Sequence, residues 1–431
     1  MSNSNEEKLV SEFRSSSPVP YPFKKVVFAL AAISSFYLGT FTTALTPVSG
    51  AVSTLFDIPT SRVLLTSSLF LGGNVTLAPF VFPIMKSRGL RFTYIIASCL
   101  FSIGGLLRLL FEEGFEAVLA GQFFVGMGAS LIINTQMEFC NTWFNVEERP
   151  MYLSIISIAN IFGGGFGNTI PLLFVDDSET DRTKLLPQFY FYMKFSALLL
   201  LILTALTTLL FEDQPPKESR CSTPAIETAE ERSMGFLALS SHYIRDVCRY
   251  PSFVCLLCLY MCGNSNLVLL GTIVNEVTKS FGYSSIFGSL GAFIVIFFGL
   301  TSAIAYSIRY MKYRVQSHRI SILIFGTIFS MFVSIFCLQF SFSVGYLIVV
   351  AVFGMFSFPL IPVSMELITR KFPQVPTYLT NTIIVFSSQM FTILIQFGAS
   401  ATGLSSNAGV MTVIILVNYF FCFFFARKID D

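Results

Sequence analysis

Ionisable side chains are scarce in this chain. Only 12% of its 431 residues are Asp, Glu, Lys or Arg, and only two are His. A soluble domain usually carries about 25% charged residues, so the composition excludes an ordinary soluble protein. The 54% share of hydrophobic residues and the 49 Phe residues instead suit helices that face lipid. The net charge of +2 is uninformative about nucleic acid, but no basic run suggests a duplex-binding surface. We therefore expect a lipid bilayer as the surroundings and no nucleic-acid partner.

Clusters of residues that carry out chemistry are also missing. Both histidines, His242 and His318, lie in polar segments, and no group of His, Ser or carboxylate residues converges on one site. The nine cysteines show no disulfide framework. Cys255 and Cys258 have metal-ligand spacing but no second pair. We therefore expect no enzyme, no catalytic residues, no metal site and no cofactor.

Long apolar runs are plentiful. A helix needs roughly 20 apolar residues to cross the hydrocarbon core of a membrane. The sequence predicts twelve such spans. They cover residues 26–48, 63–84, 92–110, 117–140, 151–174, 189–211, 252–274, 286–308, 320–339, 344–367, 379–401 and 409–426.

Polar segments divide these spans into two sets of six. Residues 1–25 are Ser-rich and charged, and we expect a disordered cytosolic tail without a cleavable signal peptide. Residues 212–251 form a long polar central loop. We therefore predict one six-helix bundle at 26–211, a second at 252–426, and a short cytosolic tail at 427–431.

The basic residues indicate the orientation. With the N-terminus inside, 21 of the 27 Lys and Arg residues fall in cytosolic segments. This bias is typical of cytosolic loops, so it predicts that both termini lie in the cytosol. We expect a monomeric multi-pass protein of the plasma membrane.

Two six-helix halves with both termini on one side are the layout of the major facilitator superfamily. The sequence is accordingly interpreted as an all-α membrane protein with the major facilitator fold. Lys86, Arg88 and Arg91 join spans two and three, where that superfamily carries a cytosolic signature with Gly and Arg. Residues 309–314 occupy the equivalent place in the second half. We expect the three basic residues to act at a cytosolic gate, with positive-inside bias as the alternative.

Polar side chains inside the spans indicate where a substrate would bind. Such groups are costly in lipid and usually face a bundle interior or a hydrated cavity. For each amide the alternative is a hydrogen bond between helices. The candidate amides are Asn134, Gln136, Asn160, Asn168, Asn264, Asn266 and Gln389.

Two carboxylates lie toward the cytosolic ends of their spans. Glu138 has Arg149 as a possible partner, and Glu366 has Arg370 one turn away. The pattern favours a gate or a structural ion pair at each position. A role in proton coupling is the second interpretation.

Three stretches resemble the feline leukaemia virus subgroup C receptor-related transporters. The order and spacing of these motifs hold across nearly the whole chain. They are Lys86–Arg91; the run from Asn134 through Trp143, Arg149 and Asn160 to Pro171; and the run from Pro359 through Glu366 and Pro373 to Gln389.

The resemblance implies transport of a small organic solute such as choline or ethanolamine, and haem export is also attributed to the family. It implies a cation cage in which Gln389 is retained. The family's other cage residues fall on Thr42, Ile161 (after Asn160) and Val268, which do not match them. We predict a substitute cage, whose candidate aromatics are Tyr37, Phe41 and Tyr260.

The function predicted from the sequence is therefore that of a secondary transporter or facilitator. It would move a small organic solute by alternating access, with a choline-like or ethanolamine-like molecule as one candidate. The two alternatives are a haem or porphyrin exporter and a non-transporting nutrient receptor on a transporter scaffold.

Overall fold

The structure is a computed structural model that describes residues 23–145, 148–214, 249–310, 317–371 and 377–401. Within these ranges the chain is helical and contains no β-strand. The helices are α1 (Lys24–Thr42), α2 (Ser49–Phe56), α3 (Thr60–Leu109), α4 (Phe115–Trp143), α5 (Arg149–Gly167), α6 (Arg182–Leu210), α7 (Pro251–Ser280), α8 (Ser285–Tyr310), α9 (Ser317–Gln339), α10 (Ser343–Ser357), α11 (Leu360–Lys371) and α12 (Thr377–Ala401). Short 3₁₀ turns cover Leu110–Glu113 and Ile170–Leu173.

Eleven of the twelve predicted spans coincide with these helices, and the twelfth, at 409–426, lies outside the described residues. Length and composition make seven of the described helices able to cross a membrane. They are Lys24–Thr42, Thr60–Glu113, Phe115–Trp143, Arg182–Leu210, Ser285–Tyr306, Arg319–Gln339 and Ser343–Met365. Two of the predicted spans lie within Thr60–Glu113.

The first span differs from its prediction. It was expected to be one helix over 26–48, but α1 ends at Thr42 and the chain becomes helical again at Ser49. Pro47 lies in this break, and the residue before a proline is driven away from helical geometry. The span is therefore two helices, and α2 lies at the face opposite the predicted cytosolic side.

The connection between spans two and three is tighter than expected. Helical geometry continues through this segment except at Gly89, whose φ is +84°. Glycine adopts such a positive φ without strain. A Cβ at this position would also lie 2.4 Å from the Oδ1 atom of Asp213. One glycine is thus sufficient to turn the chain between two antiparallel spans.

The tenth span is interrupted at a proline. Helix α10 ends at Ser357 and α11 begins at Leu360, with Pro359 between them. Proline lacks the N–H that a continuous helix would use there.

Helices α1 and α5 approach each other closely because glycines face the contact. A Cβ on Gly39 would lie 1.8 Å from the backbone oxygen of Asn160. A Cβ on Gly163 would lie 2.0 Å from the backbone oxygen of Phe36. Small residues permit this backbone-to-backbone packing. The contact fixes the position of Asn160 against the first helix.

Apolar side chains form separate cores in the two halves. Two clusters of buried residues lie between Val27 and Phe211, and a third lies between Phe253 and Ile384. We refer to the described parts of residues 23–214 and 249–401 as the first and second halves. The predicted boundaries at 26–211 and 252–426 remain predictions. Three predicted segments lie mostly or wholly outside the described residues. They are the N-terminal tail apart from its last three residues, most of the central loop, and the C-terminal tail.

Candidate functional site

A cavity of about 330 Å³ lies between the two halves. Helices α1, α4 and α5 line it from the first half. Helices α7, α8, α11 and α12 line it from the second half, together with Phe358 at the break before α11. A pocket between helical bundles is a common location for a small-molecule site.

The described residues that line the cavity are partly polar and carry no formal charge, because they include no Asp, Glu, Lys, Arg or His. Only two of these described lining residues, Tyr260 and Phe358, are aromatic. The polar lining residues are Thr42, Thr43, Gln136, Ser157, Asn160, Asn168, Tyr260, Asn264, Asn381 and Gln389.

Three lining amides direct their nitrogens toward serine groups of neighbouring helices. Asn160 Nδ2 donates to the backbone oxygen of Ser35 (3.3 Å), and Gln136 Nε2 donates to Ser35 Oγ (3.0 Å). Asn264 Nδ2 donates to Ser388 Oγ (2.8 Å). The carbonyl of Ser35 can only accept, so it fixes which end of the Asn160 amide is the nitrogen and leaves Asn160 Oδ1 without a partner among the described residues. A serine hydroxyl can donate or accept, so either end of the Gln136 and Asn264 amides can make these contacts.

Two further amides carry buried oxygens without partners. Asn168 Nδ2 donates to Thr43 Oγ1 (3.0 Å) and to the backbone oxygen of Gly164 (3.1 Å). The Oδ1 atom of Asn168 and the Oε1 atom of Gln389 are buried without a hydrogen-bond partner among the described residues. Because a backbone carbonyl can only accept, the Gly164 contact fixes which end of the Asn168 amide is the nitrogen.

The cavity also contains polar residues that the sequence analysis did not single out. Ser157 lies on α5, and Asn381 lies on α12. The signal for Asn381 was available, because Asn381, Val385 and Gln389 are spaced four apart and share one helix face.

Several predicted substrate contacts lie elsewhere. Asn134 is buried and donates to the backbone oxygen of Ser130 (2.9 Å). Tyr37 packs edge-on against Phe36. None of these residues, nor Phe41, lines the cavity. The side chain of Asn266 lies outside the described residues. The structure therefore brings Gln136, Asn160, Tyr260, Asn264 and Gln389 together and leaves Asn134, Tyr37 and Phe41 apart from them.

Phe41 instead contacts a buried cation. The guanidinium carbon of Arg108 lies 5.0 Å from the centre of the Phe41 ring, and Arg108 is fully buried. None of its nitrogens makes a hydrogen bond of good geometry to a described residue, although the hydroxyl of Tyr192 is close enough to interact with the guanidinium as an acceptor. Among the described residues, Arg108 is thus a buried cation supported by Phe41 and Tyr192 and not by a carboxylate.

The basic residues of the predicted cytosolic gate make contacts within the first half. Arg88 lies 5.7 Å from the ring of Phe92. The backbone N–H of Arg91 donates to Asp213 Oδ1 (3.1 Å), and its Nη2 donates to the backbone oxygen of Thr208 (3.3 Å). Lys86 Nζ lies 5.7 Å from a ring centre, that of Phe82. In this conformation the Arg91 contacts attach α3 to the end of α6, whereas the Arg88 and Lys86 contacts lie within α3.

The predicted acidic gate residues are only partly described. Glu138 is half-buried on α4 and does not line the cavity. The side chains of Arg149, Glu366 and Arg370 lie outside the described residues, and so do the predicted pairs Glu138–Arg149 and Glu366–Arg370.

One carboxylate links the two halves at the face opposite the predicted cytosolic side. Asp177, in the segment before α6, accepts a hydrogen bond from the backbone N–H of Ala51 (2.9 Å). Its other oxygen lies 2.7 Å from Lys279 Nζ and accepts a hydrogen bond from the hydroxyl of Ser285. The Asp177 side chain is only 7% exposed. We call these four residues the outer latch, because Ala51 belongs to the first half, and Lys279 and Ser285 to the second.

Other contacts between the halves lie near the same face. Ser68 Oγ donates to Gln396 Oε1 (2.6 Å). The ring of Phe293 packs against the rings of Phe162 and Phe166, with centres 6.0 and 6.1 Å apart. Together with the outer latch, they join the halves on the side where α2 lies.

The exposed segment around the latch carries three carboxyl groups with lowered pKa values. Hydrogen bonds from Ser178 lower the pKa of Asp176, and hydrogen bonds from Thr183 lower the pKa of Asp181. The backbone N–H of Asp181 and the Lys184 ammonium lower the pKa of Glu179. These groups therefore hold the loop in place when they are ionised.

Comparison with solved structures identifies proteins of similar fold. The xylose transporter XylE from E. coli, in a partially occluded inward-open conformation, has a TM-score of 0.68 at 15% identity, covering 92% of this chain and 97% of that one. A bacterial homologue of the human lysosomal transporter Spinster has a TM-score of 0.67 at 12% identity, covering 95% and 98%. A POT family transporter in complex with 5-aminolevulinic acid has a TM-score of 0.66 at 14% identity, covering 95% and 96%. At these identities the likeness shows the fold.

A search of curated proteins finds no match. A family model does match, and it spans residues 29–384, which is most of the chain. Its description is Major Facilitator Superfamily. The match agrees with the helix order and with the cavity between two halves. The chain therefore belongs to the Major Facilitator Superfamily and is a membrane transport protein rather than an enzyme.

Proposed function

We propose that this protein moves a small organic solute across a membrane by alternating access, and that the cavity between its halves binds the solute. We propose Gln136, Asn160, Tyr260, Asn264 and Gln389 as substrate contacts. The observation that carries the proposal is the convergence of these residues, from both halves, on one cavity of about 330 Å³. That volume is near the low end of the range of about 300–1,000 Å³ for small-molecule pockets.

The contacts between the halves support alternating access. The outer latch and the Ser68–Gln396 hydrogen bond join them at one face. The cavity extends toward the other face, because its lining includes Leu153, near the start of α5, and Met365, on α11. Such an arrangement corresponds to a site that is closed on the outside. We propose that opening the latch exposes the same site to the outside.

The resemblance to the feline leukaemia virus subgroup C receptor-related transporters supports the location of the site but not a choline cage. Thr42, Ile161, Val268 and Gln389 are the positions that the resemblance implies as substrate contacts, and all four line the cavity. The family's aromatic residues are absent from the two positions Thr42 and Val268. The proposal also includes membership of that narrower transporter family within the superfamily. It further includes a plasma-membrane location, cytosolic termini and a monomeric state.

Binding and transport can be tested on the purified full-length chain. A thermal-shift screen against small neutral and charged metabolites should identify solutes that raise the melting temperature, because a ligand that binds only the folded state stabilises it. Uptake of each such solute should then exceed uptake into vesicles without protein. The proposal fails if the inserted, folded protein neither binds nor transports any of the metabolites.

A matched pair of variants tests whether the cavity is the site. Asn264→Ala removes a lining amide and should weaken solute binding roughly tenfold, since a lost hydrogen bond is worth about 1 kcal/mol or more. Asn74→Ala removes a buried amide on α3 that does not line the cavity, and should leave binding unchanged. Equal losses of affinity in the two variants would contradict the assignment.

A further inference from the structure

We infer that the solute is an uncharged molecule with several hydroxyl groups, rather than a quaternary ammonium ion or a carboxylate. The inference rests on the proposed function and narrows it to one class of substrate. It follows from three properties of the cavity: the charge of its lining, the direction of its amides and the number of its aromatic rings.

The charge of the lining argues against ionic solutes. The described residues around the cavity supply neither a carboxylate for a cation nor a Lys, Arg or His for an anion. An ion buried in such a place would lose its hydration without gaining a counter-charge, which is costly. A neutral solute avoids this penalty.

The direction of the amides argues for a ligand that donates hydrogen bonds. Asn160 uses its nitrogen on the backbone oxygen of Ser35, and Asn168 uses its nitrogen on the backbone oxygen of Gly164. Because these carbonyls can only accept, the Oδ1 atoms of Asn160 and Asn168 are acceptors, and neither has a partner among the described residues. Hydroxyl groups of a ligand can donate to these oxygens. A carboxylate cannot, because an ionised carboxylate only accepts hydrogen bonds.

The remaining polar groups suit hydroxyls as well. Ser157, Tyr260 and Asn381 line the same cavity and bring two hydroxyls and an amide. A ligand hydroxyl both donates and accepts, so it can bond to either kind of group. Several such groups placed around one cavity match a solute with hydroxyls along its length.

The aromatic content argues against choline. A quaternary ammonium ion has no N–H to donate and is usually held by several aromatic faces. Here only Tyr260 and Phe358 are aromatic among the described lining residues. The ammonium group of choline would therefore face amide oxygens and aliphatic side chains.

A panel of probes of similar size tests the inference. Xylitol and myo-inositol are the neutral hydroxylated probes, choline and ethanolamine are the cations, and gluconate is the anion. Each is added to the purified full-length protein in a thermal-shift assay, and tracer exchange is measured in proteoliposomes. We expect a concentration-dependent rise in melting temperature with at least one neutral probe, and exchange of that probe that does not respond to membrane potential.

The outcomes separate this inference from the proposed function. Binding and exchange of choline, ethanolamine or gluconate without the polyols would overturn the inference and leave the transporter proposal intact. The absence of any shift with both polyols would also overturn it. The broader metabolite screen then decides the transporter proposal by itself.

A charge-introducing variant gives a second test. Asn264→Asp places a carboxylate in the cavity, where the Ser388 hydroxyl can turn to donate to it. We expect ethanolamine to bind this variant at least tenfold more tightly than it binds the unaltered protein, and the neutral probe to bind less tightly. Tight ethanolamine binding by the unaltered protein, with no gain in the variant, would contradict a neutral site.

Discussion

Arg108 is a buried cation that lacks a counter-charge among the described residues. It is fully buried, lies 5.0 Å from the centre of the Phe41 ring and has the Tyr192 hydroxyl, but no carboxylate, beside its guanidinium among the described residues. A cation–π contact supplies at most about 2 kcal/mol. Burial of an ion costs several kcal/mol even after relaxation. In this conformation the charge therefore lowers the stability of the fold.

Replacing this cation should stabilise the protein. We predict that Arg108→Met raises the free energy of unfolding by about 1 kcal/mol or more, because a hydrophobic side chain of similar length needs no counter-charge. Thermal unfolding in detergent measures the change. Arg108→Lys keeps the charge and should give no gain. A marked fall in the melting temperature of Arg108→Met would show that the guanidinium has a partner in this fold.

The described residues that line the cavity include no Asp, Glu, Lys, Arg or His, which leads to a prediction about pH. We expect the transport rate of a neutral solute to be flat between about pH 5.5 and 8, since no described lining residue changes its charge in that range. Initial rates in vesicles with equal pH on both sides measure this. A steep change near pH 6 or 7 would indicate a titrating group in the pathway.

The carboxyl groups in the segment before α6 should affect thermal stability only at acidic pH. The pKa values of Asp176, Glu179 and Asp181 are lowered in the folded state, so their contribution is complete above the ordinary carboxyl pKa and is lost as the pH falls through the lowered values. We predict that the melting temperature is insensitive to these groups above about pH 5 and falls below about pH 4. Asp181→Asn should reduce that fall, and an equally large fall in the variant would contradict the assignment.

The sequence predicted part of this site and missed the rest for a clear reason. Amides such as Asn264 and Gln389 were correctly expected to lie inside the bundle, since polar groups avoid lipid. Which of them reach the cavity depends on the rotation of each helix. Asn134 and Gln136 are two residues apart on α4, yet only Gln136 lines the cavity. That difference is set by how α4 packs against its neighbours, which the sequence pattern does not specify.

At the scale of the elements, the contact between α1 and α5 depends on single glycines. We predict that Gly163→Ala lowers the free energy of unfolding by about 1–3 kcal/mol or more, because its Cβ would lie 2.0 Å from the backbone oxygen of Phe36 and the helices would have to separate. Gly164→Ala is the matched control, since its Cβ would meet only one atom, at 3.9 Å. Equal thermal stability of the two variants would contradict the close approach.

Helix positions were predicted more accurately than helix breaks. Apolar length is a strong signal, and eleven of the predicted spans were found. The division of the first span at 43–48 was missed, because residues 26–48 contain no charged residue and only Pro47 hints at the break. The near-continuous helix around Gly89 was also missed, since a polar segment with Gly is typical of a loop.

At the scale of the whole molecule, the outer latch should control which face is open. Asp177→Ala removes both contacts of Asp177 with the second half, to Lys279 and to Ser285, whereas Lys279→Ala leaves the Ser285 contact in place. We therefore predict that Asp177→Ala separates the outer ends of the halves more often than Lys279→Ala does. Distances between spin labels at Thr54 and Val344, both exposed, measure this separation. A distance distribution that neither variant changes would show that the latch does not hold the halves together.

The central claim is that the cavity between the halves opens to one face of the membrane at a time. Reaction of Ser157→Cys with a membrane-impermeant thiol reagent tests it most directly, with the parent protein as the control for native cysteines. We predict fast labelling from the face predicted to be cytosolic, slow labelling from the outer face, and faster outer labelling when Asp177→Ala is added. Equal labelling from both faces, or outer labelling that does not respond to Asp177→Ala, would contradict the account.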